Sequence, residues 1–274
     1  MKSSVLADRR TNTLLVVPNN DAEAAMIIRL ARKLRLPMLI SRQPHGARLE
    51  KEPDLLGRVK AAGKPRVCVV EIPGPVLEKK LKKQVQEFVW IDHHQYYFLD
   101  RAHDSQTGKS RRSSLEQFLE YFGITDAELR QWGYTPKTVK GVGVSDRAYL
   151  WGLKKEGYSQ REMKQVLELI DRLERTNVRQ PGVPPKSVVM ASARRAWKAR
   201  KTWNGFAVVR SRPKFGIRGE LSSILAKKNE KPTPVILVER GGNRLYVQES
   251  PKAKQLFERL GGFTFGGIYN WGYD

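Results

Sequence analysis

The sequence predicts an α/β protein whose first half is a doubly wound, mostly parallel sheet. Short apolar runs alternate there with segments of helical periodicity. The apolar runs are continuous rather than alternating, which is typical of strands that are buried on both faces of a parallel sheet. A smaller α/β domain follows, and we expect a cleft between the two domains.

The elements of the first domain follow one another as strand, loop and helix. After a polar leader, the predicted strands are 14–17, 38–40, 67–70 and 88–91, and helical patterns lie at 21–35, 50–62 and 75–86. The chain then turns helical, with predicted helices at 113–122, 126–132, 146–156 and 159–176. Ser159 and Glu162 have the spacing of a capping box at the start of the last of these helices.

A proline-rich stretch, 180–185, is the best candidate for a linker, because two adjacent prolines and a glycine cannot continue a helix. We therefore expect domains at 1–180 and 181–274. In the second domain the patterns predict helices at 186–203 and 220–227 and strands at 205–209, 234–238 and 245–247. The turn signal at 240–243 predicts that the last two strands form a hairpin.

The charge points to a polyanionic partner. The 274 residues include 51 Lys and Arg against 28 Asp and Glu, a net charge of +23. The usual soluble polyanions are nucleic acids, whose phosphates release counterions when Lys and Arg replace them. With Cys68 as the only cysteine, no intrachain disulfide can form, and no stretch is long and apolar enough to span a bilayer. We expect a cytoplasmic protein without a membrane partner.

Acidic and imidazole side chains follow several of the predicted strands. Asp92, His93 and His94 come directly after the strand 88–91. Asp21 and Glu23 follow the first strand, Glu71 the third, and Asp146 heads a later helix. The carboxyl ends of parallel strands line one crevice, so these groups are expected to converge, and bound cations would offset their repulsion. Mixed carboxylate and imidazole ligands suit Mn²⁺ or Mg²⁺, and two such ions can hydrolyse a phosphoester.

This layout resembles the DHH phosphoesterases over most of the chain. The stretch 17–23 matches the family's first motif, Glu71 the second, Asp92-His93-His94 the third and Asp146 the fourth. The second domain is similar to the DHH-associated domain, whose glycine-rich signature is matched at 260–269, with Gly266 and Gly267 at its centre.

The resemblance implies roles for individual residues. Two metal ions would be held by Asp21, Glu23, Glu71, His93 and Asp146, with Asp92 orienting the site and His94 contacting the substrate or leaving group. The sequence departs from the family at four points. Val17 and Ile268 stand where the family has histidines, and Glu23 and Glu71 stand where it has aspartates.

Basic residues interleaved with tryptophan suit a single strand, because cations bind the backbone while indoles stack on bases. The expected nucleic-acid-binding residues are Arg194, Arg195, Trp197, Lys198, Arg200, Lys201, Trp203, Arg210, Arg212, Lys214, Gly266 and Gly267.

Two functions stay open. One is a divergent phosphodiesterase that cleaves single-stranded DNA, RNA or short oligonucleotides with two Mn²⁺ or Mg²⁺ ions. The alternative is an inactive DHH scaffold that binds nucleic acid, with a place in a larger nucleoprotein assembly.

Overall fold

The computed structural model describes residues 2–93, 112–175, 177, 184–228, 233–265 and 269–273. Contacts divide the described residues into two compact units, the first within 2–93, 112–143 and 164–177 and the second within 144–163 and 184–273. The predicted linker lies mostly outside the described residues, and the boundary after residue 180 stays a prediction. None of the described helices has the length and apolarity that a bilayer crossing requires.

The elements are, in chain order, α1 (Lys2–Asn12), β1 (Thr13–Pro18), α2 (Ala22–Lys33), β2 (Met38–Ser41), α3 (Leu55–Ala62), β3 (Arg66–Val70), α4 (Pro75–Gln84), β4 (Glu87–Ile91), α5 (Ser114–Tyr121), α6 (Asp126–Gln131), α7 (Pro136–Lys155), α8 (Gln160–Glu174), α9 (Lys186–Lys198), β5 (Lys201–Trp203), β6 (Phe206–Ser211), α10 (Arg218–Lys228), β7 (Val235–Glu239), β8 (Arg244–Gln248), α11 (Lys252–Leu260), β9 (Phe263–Thr264) and β10 (Trp271–Tyr273). Single 3-10 turns lie at Leu49–Lys51 and Arg240–Gly242.

The first unit is built on a parallel sheet with the strand order β2-β1-β3-β4. Side chains alternate between its faces, so Leu15 and Val17 pack into one apolar cluster while Leu14 and Val16 pack into another. The predicted α/β class and parallel sheet, buried on both faces, are confirmed. This order also makes β1, β3 and β4 neighbours, so their carboxyl ends lie side by side.

The second unit is built on a mixed sheet with the strand order β5-β6-β7-β8-β10-β9. β6 and β7 are parallel, and the other neighbours are antiparallel. The predicted hairpin is confirmed, because β7 pairs with β8 around the 3-10 turn. Helix α9 packs against β6 and α10.

The prediction of a helix over 186–203 is wrong at its end. Helix α9 stops at Lys198, and β5 pairs with β6 as a hairpin. Asn204 and Gly205 form the turn with φ angles of 45° and 79°. An Asn-Gly pair supplies the two positive φ angles that a tight hairpin turn requires, and this signal prevails over the basic helical pattern.

Three other helices differ from their predicted bounds. The helix predicted at 50–62 is a 3-10 turn followed by α3, which begins after Pro53 and is capped by Asp54. The predicted polar leader forms α1. Helix α7 begins at Pro136 rather than at 146, and it is kinked at Ala148 and Tyr149, whose backbone angles are not helical. Proline has no backbone N–H and favours the first helical position, which accounts for the start of α7.

Candidate functional site

Three of the predicted metal ligands meet at the carboxyl edge of the first sheet. Glu23 is the second residue of α2, which follows β1. Glu71 directly follows β3, and His93 lies two residues beyond the end of β4. Each therefore comes from the end of a different one of three neighbouring strands, as the alternation of strands and helices predicts.

The three side chains are close together and buried. The Nδ1 atom of His93 lies 3.5 Å from Oε2 of Glu23 and 3.7 Å from Oε1 of Glu71. The side chains of His93, Glu23 and Glu71 are 2%, 0% and 7% exposed. Each offers a potential ligand atom, and these atoms lie within 4.8 Å of one another. We refer to Glu23, Glu71 and His93 as the ligand cluster.

The start of α5 holds the carboxylate of Glu23 in place. The backbone N–H of Leu115 donates a 2.8 Å hydrogen bond to Oε1 of Glu23. Ser113 caps this helix and forms a reciprocal capping box with Glu116, which fixes the first turn. A carboxylate at a helix N-terminus is stabilised by the free N–H groups and by the helix dipole.

Glu71 is held by its own backbone and by the same helix. Its φ angle is 49°, in the left-handed region that non-glycine residues rarely adopt. The N–H of Glu71 donates to the carbonyl oxygen of Ile91 at 3.1 Å, and Ser114 Oγ donates to Oε1 at 2.7 Å. Such backbone strain is found at functional sites, where surrounding contacts maintain it.

A glycine on α7 makes room for this arrangement. A Cβ atom at Gly143 would lie 2.1 Å from Ser113 Oγ and 3.0 Å from Oε1 of Glu23. The helix backbone therefore approaches the capping serine and the ligand carboxylate more closely than any residue with a side chain would allow.

Asp92 lies next to the ligand cluster in sequence and is 6% exposed. Its Oδ2 atom accepts a 3.2 Å hydrogen bond from the indole N–H of Trp90. Its carbonyl oxygen accepts a 2.9 Å bond from Nε2 of Gln117 on α5. These bonds fix the chain just before His93, and the predicted orienting role of Asp92 stays a prediction.

The other predicted site residues take varied positions. Asp21 caps α2, and its Oδ1 atom accepts a 2.8 Å bond from the N–H of Ala24. Asp146 is exposed on α7, in the part of the chain that belongs to the second unit. Val17, at the position of the family histidine, is fully buried in the apolar core. His94, Gly266, Gly267 and Ile268 lie outside the described residues.

The ligand cluster suits a divalent cation. Two carboxylates and one imidazole form a mixed oxygen and nitrogen donor set, as Mn²⁺ and Mg²⁺ sites use, whereas structural zinc favours thiolates. Burying two carboxylates side by side is costly unless a positive charge offsets their repulsion. A bound cation would supply that charge.

The predicted nucleic-acid residues are largely at the surface of the second unit. Arg194, Arg195 and Lys198 are exposed on α9, and Trp203 is 60% exposed on β5. Trp197 is half-buried, with the guanidinium of Arg200 4.1 Å from the centre of its ring. The remaining cations, Lys201, Arg210, Arg212 and Lys214, are exposed along β5, β6 and the segment after β6.

Two parts of the site were not predicted from the sequence. Ser114 and the N–H of Leu115 bind the carboxylates of the ligand cluster, whereas the pattern at 113–122 predicted only a helix. The spacing of Ser113 and Glu116 is the signal for its fixed N-terminus, and such termini attract anionic groups.

No protein-family model and no curated protein matches the chain. Among solved structures, an exopolyphosphatase-related protein from Bacteroides fragilis is 10% identical, with a TM-score of 0.45 over 99% of this chain and 91% of that one. The exonuclease RecJ bound to manganese is 15% identical, with a TM-score of 0.43 over 99% and 88%. A pGpG-specific phosphodiesterase from Vibrio cholerae is 11% identical, with a TM-score of 0.41 over 95% and 92%. These likenesses are too distant to assign an activity to this chain.

Proposed function

We propose that the chain is a metal-dependent phosphodiesterase that acts on single-stranded nucleic acid or short oligonucleotides. The observation that carries the proposal is the convergence of Glu23, Glu71 and His93 from three neighbouring strand ends. When bound there, a divalent cation supplies a Lewis acid that polarises a phosphoryl oxygen.

The residues around the ligand cluster would hold its carboxylates in position for a cation. Leu115 and Ser114 each donate a hydrogen bond to one of the two carboxylates. Partners of this kind orient metal ligands and tune their basicity.

Asp146 is proposed as a further ligand. The sequence motifs give Asp146 this role, and it is an exposed carboxylate on α7. The sequence motifs imply two metal ions. A second ion would need the carboxylate of Asp146 or Asp21 in addition to the ligand cluster.

The charge of the chain favours a nucleic acid over a small phosphate ester. The net charge of +23 exceeds what a few phosphates would need for binding. Exposed Trp203, with Lys201 two residues before it, offers an aromatic surface beside a cation, which suits an unpaired base and its backbone.

One observation favours the inactive alternative. Val17 is fully buried in the apolar core, so the position of the family's first-motif histidine supplies no ligand atom. A protein with a reduced ligand set would still bind nucleic acid through its exposed cations. We retain nucleic-acid binding without cleavage as the second candidate.

The test is cleavage of end-labelled single-stranded DNA and RNA with Mn²⁺, with Mg²⁺ and with EDTA. The variants are Glu71→Gln, His93→Asn and Asp146→Asn, and the matched control is Glu168→Gln, which removes one exposed charge on α8. We expect metal-dependent cleavage that falls by about 100-fold or more in Glu71→Gln and is unchanged in the control.

Two results would contradict the phosphodiesterase. Cleavage that persists in EDTA or in all three variants would show that the ligand cluster is not responsible. If the parent cleaves nothing under any condition but binds the strands in a salt-sensitive manner, the binding protein is the correct candidate.

A further inference from the structure

A cavity of about 430 Å³ lies in the second unit, against one face of α9. Ser192, Arg195, Ala196 and Ala199 line it. These residues follow the spacing of a single helix face. Three of the four have small side chains, which leave the space open. Arg195 lies along the same face and donates a 3.1 Å hydrogen bond to Ser192.

The opposite side of the cavity carries three more arginines. Arg210 and Arg212 lie at and just beyond the carboxyl end of β6, and Arg240 begins the turn after β7. The residues that line the cavity include no Asp or Glu. We refer to this space, lined by Arg195, Arg210, Arg212 and Arg240, as the arginine cavity.

Four guanidinium groups around one space repel one another unless an anion is bound. None of the ion pairs between described residues involves Arg195, Arg210, Arg212 or Arg240. Guanidinium groups bind the oxygens of phosphate in pairs, through parallel N–H bonds. Four arginines without a counter-ion among the described residues are therefore suited to an external oxyanion.

The position of Arg240 is fixed by a close backbone contact. A Cβ atom at Gly241 would lie 2.4 Å from the carbonyl oxygens of Arg212 and Pro213. Only glycine allows the turn after β7 to pack this tightly against the chain after β6. Arg212 and Arg240 are thus held on neighbouring segments at one side of the cavity.

We propose that the arginine cavity binds a phosphoryl group of a nucleotide or of a nucleic acid strand. The volume accommodates a phosphoryl group together with part of the molecule that carries it. The groups that would contact its oxygens are the guanidiniums of Arg195, Arg210, Arg212 and Arg240. This site uses no residue of the ligand cluster, so it does not depend on the proposed hydrolysis.

The test is calorimetric titration of the full chain with pyrophosphate in EDTA at low salt. The double variant Arg210→Gln/Arg240→Gln removes two charges from the cavity, and Lys227→Gln/Arg259→Gln removes two exposed charges of the same unit that do not line it. We expect affinity to fall about tenfold or more in the first variant and less than about twofold in the second.

A further variant keeps the test valid if the double variant folds poorly. Arg240→Lys retains the charge but lacks the paired N–H groups, and it is expected to weaken pyrophosphate binding by about threefold or more. Displacement of pyrophosphate by a nucleoside monophosphate identifies a nucleotide as the source, and displacement by only a single-stranded oligonucleotide identifies a strand.

The proposal is overturned if the parent does not bind pyrophosphate. Equal losses in the cavity variant and the charge-matched control also overturn it, because they show a diffuse electrostatic effect. If a glutamate-rich peptide binds the chain and pyrophosphate does not, the proposal is wrong and the partner is an acidic protein. All of these measurements are made without metal, so their outcome is separate from that of the cleavage assay.

Discussion

The hydroxyl of Ser114 donates a 2.7 Å hydrogen bond to Oε1 of Glu71 and so ties the start of α5 to the end of β3. The next residue, Leu115, donates its N–H to Glu23 at 2.8 Å. One helix turn thus positions two carboxylates that come from different strand ends. The positions of the two carboxylates therefore depend on α5 as well as on the sheet.

Replacing Ser114 with alanine is expected to weaken metal binding. The variant loses the bond that orients Glu71 but keeps every residue of the ligand cluster. Loss of such a partner typically lowers metal affinity by about 10- to 100-fold. Titration with Mn²⁺, followed by calorimetry, measures the change. Ser187→Ala, at an exposed position of α9, is the control, and equal affinities for the two variants would contradict the role of Ser114.

Metal binding is expected to stabilise the parent but not Glu23→Gln. Glutamine keeps the acceptor for the N–H of Leu115 and removes the charge that faces His93. At a metal concentration about 100 times its dissociation constant, the free energy of unfolding rises by about 2.7 kcal/mol. Urea unfolding with Mn²⁺ and with EDTA measures this gain.

The gain should fall below about 1 kcal/mol in Glu23→Gln and persist in the control Glu168→Gln. A full gain in Glu23→Gln would mean that the cation binds elsewhere on the chain.

Gly143→Ala is expected to damage the site through packing. The new Cβ atom would clash with Ser113 Oγ at 2.1 Å, so the capping serine or α7 must move. Overpacking of this kind costs about 1–3 kcal/mol of stability. Gly219→Ala is a suitable control, because nothing lies within 4 Å of its Cβ position. Thermal unfolding of both variants tests the claim, which fails if Gly143→Ala is as stable as the parent.

The sequence predicts the ligand cluster because its members follow strand ends directly. Glu71 and His93 are each placed by local chain order and by the parallel arrangement of β3 and β4. The bond from Ser114 to Glu71 spans 43 residues, so no local pattern indicates it. Its formation depends on how α5 packs after the sheet is complete.

The second unit was less predictable for a related reason. The basic pattern over 186–203 favours a helix, yet the turn at Asn204 and Gly205 makes 201–203 a strand. Arg240 has the sequence context of a turn, and only the packing of Gly241 against Arg212 places it at the arginine cavity. Helical periodicity in a sequence predicts which residues share one face of a helix. A cavity forms only where several elements pack together, which periodicity does not predict.

Glu249 is expected to make the folded protein less stable as the pH rises. Burial raises the pKa of its carboxyl group to about 7, from an ordinary value of 4.5. Its backbone has a φ angle of 54°, and its N–H donates to Asn270 Oδ1 at 3.0 Å, which holds the residue in this position. Between these two pKa values the folded state binds more protons than the unfolded state, so stability falls with increasing pH.

The variant Glu249→Gln should remove this dependence. The stabilisation of the folded parent by protonation is fully present below about pH 4.5 and is lost as the pH rises through about 7. One pKa unit corresponds to about 1.4 kcal/mol, so the total is at most about 3.5 kcal/mol. Urea unfolding at about pH 5 and about pH 8.5 should show that the free energy of unfolding of the variant, relative to that of the parent, is greater at the higher pH. Glu258→Gln, an exposed position on α11, controls for the lost charge, and a parent–variant difference that does not change with pH would refute the assignment.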